Sequence, residues 1–129
     1  MPDFSSSEVK KREYVFSIMK IIFEKYGFSP LETPAIEKRE TLIGNYGFEG
    51  DKLVYQLLKS GNFLSQVDEK KILSKDVNFI TPLVSDKALR YDLTIPFARY
   101  ISSNQANITL PFKRYQIQKV WRADRPQKG

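Results

Sequence analysis

Two short runs hold the residues best suited to chemistry. Ala88-Leu89-Arg90-Tyr91-Asp92-Leu93-Thr94 places an arginine, an aspartate and a threonine at alternate positions, and Arg122-Ala123-Asp124 repeats an alternating charge pair. On a strand, side chains two apart share a face, so Arg90, Asp92 and Thr94 are expected to point together, as are Arg122 and Asp124. Charges on a buried face cost several kcal/mol unless paired, so such strands suit the wall of a polar cleft. An aspartate beside a threonine hydroxyl offers acceptors for an ammonium group, while an arginine can fork two N–H donors onto a phosphate. Together they describe a site for a zwitterion and a nucleotide. The same residues read equally well as cross-strand ion pairs on a solvated sheet, and periodicity does not choose between the two.

What the sequence lacks narrows the chemistry further. It contains no cysteine and no histidine, which excludes a disulfide framework, a thiolate nucleophile, an imidazole base and Cys/His metal ligation. Any reaction must run on Arg, Lys, Asp, Glu, Tyr or backbone groups. No Walker A sequence, dinucleotide-type GxGxxG or Ser/His/Asp set occurs, so a nucleotide site here is of neither the P-loop nor the Rossmann kind.

The elements that must position these residues are legible to different degrees. Ser5 and Glu8 form a capping box, and Val15, Ile18, Met19, Ile22, Phe23 and Tyr26 follow at helical spacing before Gly27, which predicts a helix over 7–26. Residues 28–34 carry Pro30 and Pro34 and are expected to be extended, at a sheet edge or an interface. A short helix is expected over 37–43, then a turn-rich passage at Gly44, Gly47 and Gly50. Residues 53–58 and 63–64 read as a hairpin joined through Ser60-Gly61-Asn62, and 66–76 as a surface loop or short solvated helix. The Arg90 run reads as a strand leading into a helix, with Thr94 as its N-cap and Pro96 tolerated in the first turn. Residues 112–124 read as one long strand, with Tyr115, Ile117 and Trp121 on the apolar parity. The tail Arg122–Gly129 is basic and turn-prone, either a loop over phosphates or a frayed terminus.

At 129 residues and 41% hydrophobic content, the chain has material for one packed domain and no linker separating two. It has neither an apolar run long enough for a membrane helix nor a secretory leader pattern, so a soluble, intracellular protein is expected. Lys and Arg exceed Asp and Glu by 21 − 15 = 6, which favours anionic partners such as nucleotides or RNA.

Leu89–Tyr100 (LRYDLTIPFARY) and Lys113–Gly129 (KRYQIQKVWRADRPQKG) resemble histidyl-tRNA synthetase, a class II aminoacyl-tRNA synthetase. Phe23–Phe28, Glu32-Thr33-Pro34 and Gly47–Lys52 agree with it in the same order. The resemblance implies an α+β class II fold, an antiparallel sheet flanked by helices, here truncated. Residues 1–129 would be an N-terminal part of the catalytic domain, with motif 1 ending at Pro34 in a homodimer interface and motif 2 beginning at Trp121. It implies that Arg122 grips the ATP α-phosphate and is the catalytic residue. Asp124 takes the acidic ATP-side position, where many members carry the longer Glu. Asp92, the Leu93 backbone and Thr94 take the α-amino group of histidine. The implied cytoplasmic reaction joins histidine to ATP, aided by Mg²⁺, and passes the histidyl group to tRNA(His). Motif 3 and the segment that reads the imidazole ring lie outside these residues, so the piece alone is expected to fold without being active. A noncatalytic regulatory relative of the synthetase is the alternative; a small basic RNA-binding module fits less well, because Tyr115 and Trp121 fall on the apolar parity instead of a stacking surface.

Overall fold

The structure, a computed structural model, describes residues 3–45, 47 and 51–124. Local chemistry defines the first element with little outside help. The Ser5 hydroxyl accepts from Glu8 N–H while the Glu8 carboxylate accepts from Ser5 N–H at 2.7 Å, which closes the capping box and starts α1 (Ser6–Lys25). At its other end Gly27 adopts φ 77°, a left-handed conformation that costs a side-chain-bearing residue. Gly27 N–H then donates to Glu24 O and Phe28 N–H to Phe23 O, each at 3.0 Å, the paired bonds of a Schellman stop. The hydrophobic contact that accompanies such a stop is present too, with the Phe23 and Phe28 rings 5.8 Å apart.

The chain divides into two compact units, residues 1–32 with 107–118 and residues 33–106 with 119–129. In the first, β1 (Ser29–Pro30) pairs in parallel with the strand Arg114–Tyr115, numbered β5 below. Tyr115 is buried there, stacked on Phe23 at 5.3 Å, with its hydroxyl donating to Glu24 at 2.7 Å. Apart from this corner α1 covers little, and Val15, Ile18 and Ile22 are 51%, 42% and 50% exposed.

The second unit holds a three-stranded antiparallel sheet in the order β2 (Ile36–Lys38), β4 (Lys87–Leu89), β3 (Gln56–Leu57). On the central strand, Ala88 lies opposite both Glu37 and Gln56 and is fully buried. Its small side chain lets Leu42, from α2 (Arg39–Leu42), and Val54 close over the sheet, with Ile43, Tyr91 and Ile95 packed around them. Buried Glu37 is neutralised by Arg99 of the helix Thr94–Ser103 at 2.7 Å, so that helix is tied to the sheet by charge as well as by packing. Between β3 and β4 run α3 (Glu69–Leu73) and α4 (Val77–Val84), capped by the Asp68 and Asp76 carboxylates, and the helix Thr94–Ser103 is α5.

This is the expected α+β class, though β1 and β5 pair in parallel, which the expected antiparallel sheet did not include. The helix over 7–26 and the strand-to-helix passage at the Arg90 run are both present. Four expectations need correction. Residues 53–58 and 63–64 do not form a hairpin: β3 pairs with β4, while Phe63 and Ser65 donate back to Gly61 and Asn62 in tight turns. Of the expected helix 37–43, Glu37 and Lys38 belong to β2, where pairing with Ala88 and Lys87 outweighs helical propensity. The strand 112–124 is laddered only at β5, because beyond it Trp121 N–H goes to Arg90 O and Ala123 N–H to Leu53 O, two separate bends instead of one neighbouring strand. Thr94 is the first residue of α5, not its cap.

Candidate functional site

Between β4 and α5 the chain bends through Arg90–Leu93, and this bend breaks the alternation read from the sequence. Arg90, expected to share a face with Asp92 and Thr94, is instead 3% exposed. Its guanidinium donates to Thr33 O at 2.6 Å and Lys119 O at 2.8 Å, and lies 5.6 Å from the centre of the Trp121 ring. Its backbone adds two bonds, donating to Ala35 O and accepting from Trp121 N–H. A buried arginine whose donors meet carbonyl oxygens holds chain segments together and is not a phosphate ligand.

Asp92 is half-buried and accepts through one carboxylate oxygen from Thr94 N–H at 3.0 Å and Ile95 N–H at 3.3 Å. Those N–H groups are among the donors that a helix start leaves without an intrahelical partner, so Asp92 caps α5 in place of the expected Thr94. The cap therefore fixes the side chain's direction. Leu93 is half-buried at the cap position with φ −105° and ψ −2°, Thr94 is exposed beside it, and Pro96 sits fully buried in the first turn, where a missing N–H costs nothing.

Arg122 comes from the other segment and reaches the same bend. Its Nε donates to Tyr91 O at 3.2 Å, and its guanidinium carbon lies 4.5 Å from the centre of the Tyr91 ring. Arg122 and Asp124 are both exposed, and Arg122 is held against Tyr91, the residue that precedes Asp92. The geometry thus brings together Asp92, Leu93, Thr94 and Arg122, the residues expected to take an ammonium group and a phosphate. It does not include Arg90. Pro34 is exposed in a loop before β2, and Arg125–Gly129, read as a possible phosphate loop, lie outside the described residues.

Sequence reasoning missed Tyr91, which contacts Arg122 through both carbonyl and ring, and it missed that Arg90 is structural. The sequence held a signal for each, since an aromatic residue and a second arginine immediately precede Asp92, but parity reasoning assigned them to faces that a bend does not have. A separate cleft of about 410 Å³ is lined by Lys38, Arg39, Glu40, Pro82, Ser85, Asp86 and Lys87, none of them an expected site residue. Among the described residues no cluster of three Asp, Glu, His or Cys side chains is arranged to hold a metal, and no helix is long and apolar enough to cross a membrane.

Comparison with known proteins gives these residues a context. No family model matches the chain. Histidine–tRNA ligase of Christiangramia forsetii is 54% identical over 127 residues, covering 98% of this chain and 28% of that protein. The corresponding ligase of Porphyromonas gingivalis is 46% identical over 129 residues, covering 100% of this chain and 28% of its own length. The crystal structure of histidyl-tRNA synthetase from Nostoc superposes with a TM-score of 0.67 at 28% identity, covering 96% of this chain and 24% of that one. An ATP phosphoribosyltransferase regulatory subunit/histidyl-tRNA synthetase from Bacillus halodurans has the same fold, with a TM-score of 0.68 at 22% identity. The chain thus spans about 28% of the length of the curated relatives it matches. Near 50% identity along essentially its whole length, joined to a shared fold, makes the chain a homologue of histidyl-tRNA synthetase.

Proposed function

We propose that the polypeptide carrying this chain is a histidine–tRNA ligase, and that this segment supplies the α-amino site for histidine and the clamp for the ATP α-phosphate. The observation that carries the reading is the bond from Arg122 Nε to Tyr91 O. It ties Arg122 to the residue that precedes Asp92, which supports a reading in which one bend serves both an amino acid and a nucleotide. The ammonium group of histidine is held by Asp92, with Thr94 and the Leu93 backbone beside it. Its carboxylate is already a nucleophile, so the first step needs positioning and charge stabilisation more than proton transfer. A carboxylate oxygen bonds to the α-phosphorus, the bond to the bridging oxygen breaks, and pyrophosphate leaves with that electron pair. With Nε bonded to Tyr91 O, the two terminal nitrogens of Arg122 are the donors that would meet the charge that builds on the α-phosphoryl oxygens. A hydroxyl at the tRNA end then attacks the histidyl carbonyl and releases AMP.

Asp124 lies on the ATP side of Arg122 in this reading. The described residues build no metal site of their own. Mg²⁺ belongs to the proposal as a companion of the ATP phosphates, as is usual for an ion that keeps most of its water. The net charge of +6 suits tRNA(His) as a partner. The reading further takes the protein as a cytoplasmic homodimer whose interface includes the segment reaching Pro34. Charging of tRNA(His) with labelled histidine by the complete polypeptide tests it. The wild type is expected to charge, and Arg122→Ala to lose roughly a hundred- to a thousandfold in the rate of adenylate formation, the usual effect of removing one preorganised donor. Near-normal adenylate formation by that variant would defeat the assignment.

A further inference from the structure

The centre of the Tyr91 ring lies 4.5 Å from the Arg122 guanidinium carbon, while the Tyr91 carbonyl accepts a hydrogen bond from Nε at 3.2 Å. One residue therefore engages the arginine by its face and by one edge. A planar guanidinium engaged by its face and through Nε has fewer orientations open to it, and its terminal N–H groups are not the ones used in that bond. An exposed arginine would otherwise sample many rotamers and lose that freedom each time it met a phosphate. The platform is itself fixed: Tyr91 packs against the core of Leu42, Val54 and Ala88. Its neighbour Arg90 is buried and bonded to Thr33 O and Lys119 O. On its other side, Asp92 is pinned as the cap of α5.

We propose that Tyr91 is a positioning residue for Arg122: its aromatic face and carbonyl hold the guanidinium in the orientation that meets the α-phosphate. This rests on the assignment of Arg122 made above. Tyr91 itself touches no reacting atom. The observed contacts to the guanidinium are those of the ring and the carbonyl, so the proposal turns on the ring.

The test is a double-mutant cycle in the complete polypeptide, read by the kcat and KM of ATP–pyrophosphate exchange. Tyr91→Phe is expected to retain kcat within about twofold. Tyr91→Leu is expected to lower kcat by about fivefold, the size of a cation–π contact to an exposed arginine, with the KM for histidine little changed. In an Arg122→Ala background, Tyr91→Leu is expected to have no further effect on kcat, because the group it positions is gone. Pentafluorophenylalanine at position 91 keeps the ring's volume while withdrawing the negative charge from its face, and is expected to lower kcat without unfolding the protein; it decides the matter should the leucine variant fold poorly. Full additivity of Tyr91→Leu and Arg122→Ala, or wild-type kcat for the fluorinated ring, would overturn the proposal while leaving the role of Arg122 intact. Near-normal activity of Arg122→Ala alone would instead remove the reading on which it rests.

Discussion

Asp92 has two tasks that substitution can separate. Its carboxylate caps α5 through Thr94 and Ile95 N–H, and in the proposed reaction it also faces the histidine ammonium group. Asparagine caps a helix about as well as aspartate but carries no charge, whereas alanine does neither. Asp92→Asn is therefore expected to keep its thermal midpoint while the KM for histidine rises by roughly ten- to a hundredfold, the worth of a hydrogen bond to a charged group. Asp92→Ala should show the same loss of affinity and, in addition, about 1 kcal/mol of lost stability in urea denaturation. If Asp92→Asn left the KM unchanged, the carboxylate would be a cap and nothing more. Residue type was legible in advance at this candidate site, where the sequence pointed to an acid, a hydroxyl and an arginine. What could not be read was direction. Alternation assigns faces only while a strand continues, and the bend after Leu89 turns Arg90 inward to carbonyl oxygens and brings Tyr91 against Arg122.

At the scale of elements, legibility followed how local the forces are. The capping box and the Schellman stop of α1 depend on residues within a few positions of one another, and both ends of that helix were readable. The pairing of β3 with β4 depends on residues far apart in sequence, and it displaced a hairpin that local pattern favoured. Helix α4, for which the sequence reading assigned no element, has Pro82 in its interior, and the Asp76 carboxylate caps it by accepting from Asn78 and Phe79 N–H. The contact between α1 and β5 has its own signature in pH. The Tyr115 phenol is raised above its ordinary value, first by its hydrogen bond to Glu24, then by burial and the Glu24 charge. A raised folded-state value means that this contact contributes its full stability below the unfolded value of about 10 and loses it as pH climbs through the folded one. Tyr115→Phe should therefore flatten the alkaline limb of a stability profile between about pH 9 and 12 and leave the neutral region's pH dependence unaltered. An unchanged alkaline limb would show that the bond to Glu24 does not persist in solution.

For the molecule as a whole, the notable feature is the apolar surface left on α1, where Val15, Ile18 and Ile22 are each about half exposed. The proposed homodimer would draw on this face. Ile18→Glu in the complete polypeptide is expected to weaken self-association by at least tenfold in sedimentation equilibrium, because a charge brought into an apolar interface loses its water without gaining a partner. Dimerisation of wild-type strength would place the interface elsewhere. Fold class and family resemblance were both within reach of the sequence, since the two matching blocks contain the residues that build the bend and the segment packed on it. How those blocks meet was not, because it is decided by the buried bonds of Arg90 to Thr33 O and Lys119 O.

The central claim is that this segment serves activation of histidine by ATP, and ATP–pyrophosphate exchange by the complete polypeptide, run with each amino acid in turn, tests it most directly. Exchange supported by histidine alone is the predicted result. A folded protein that binds histidine yet exchanges pyrophosphate with no amino acid would contradict it and point to a regulatory relative that has kept the fold without the reaction.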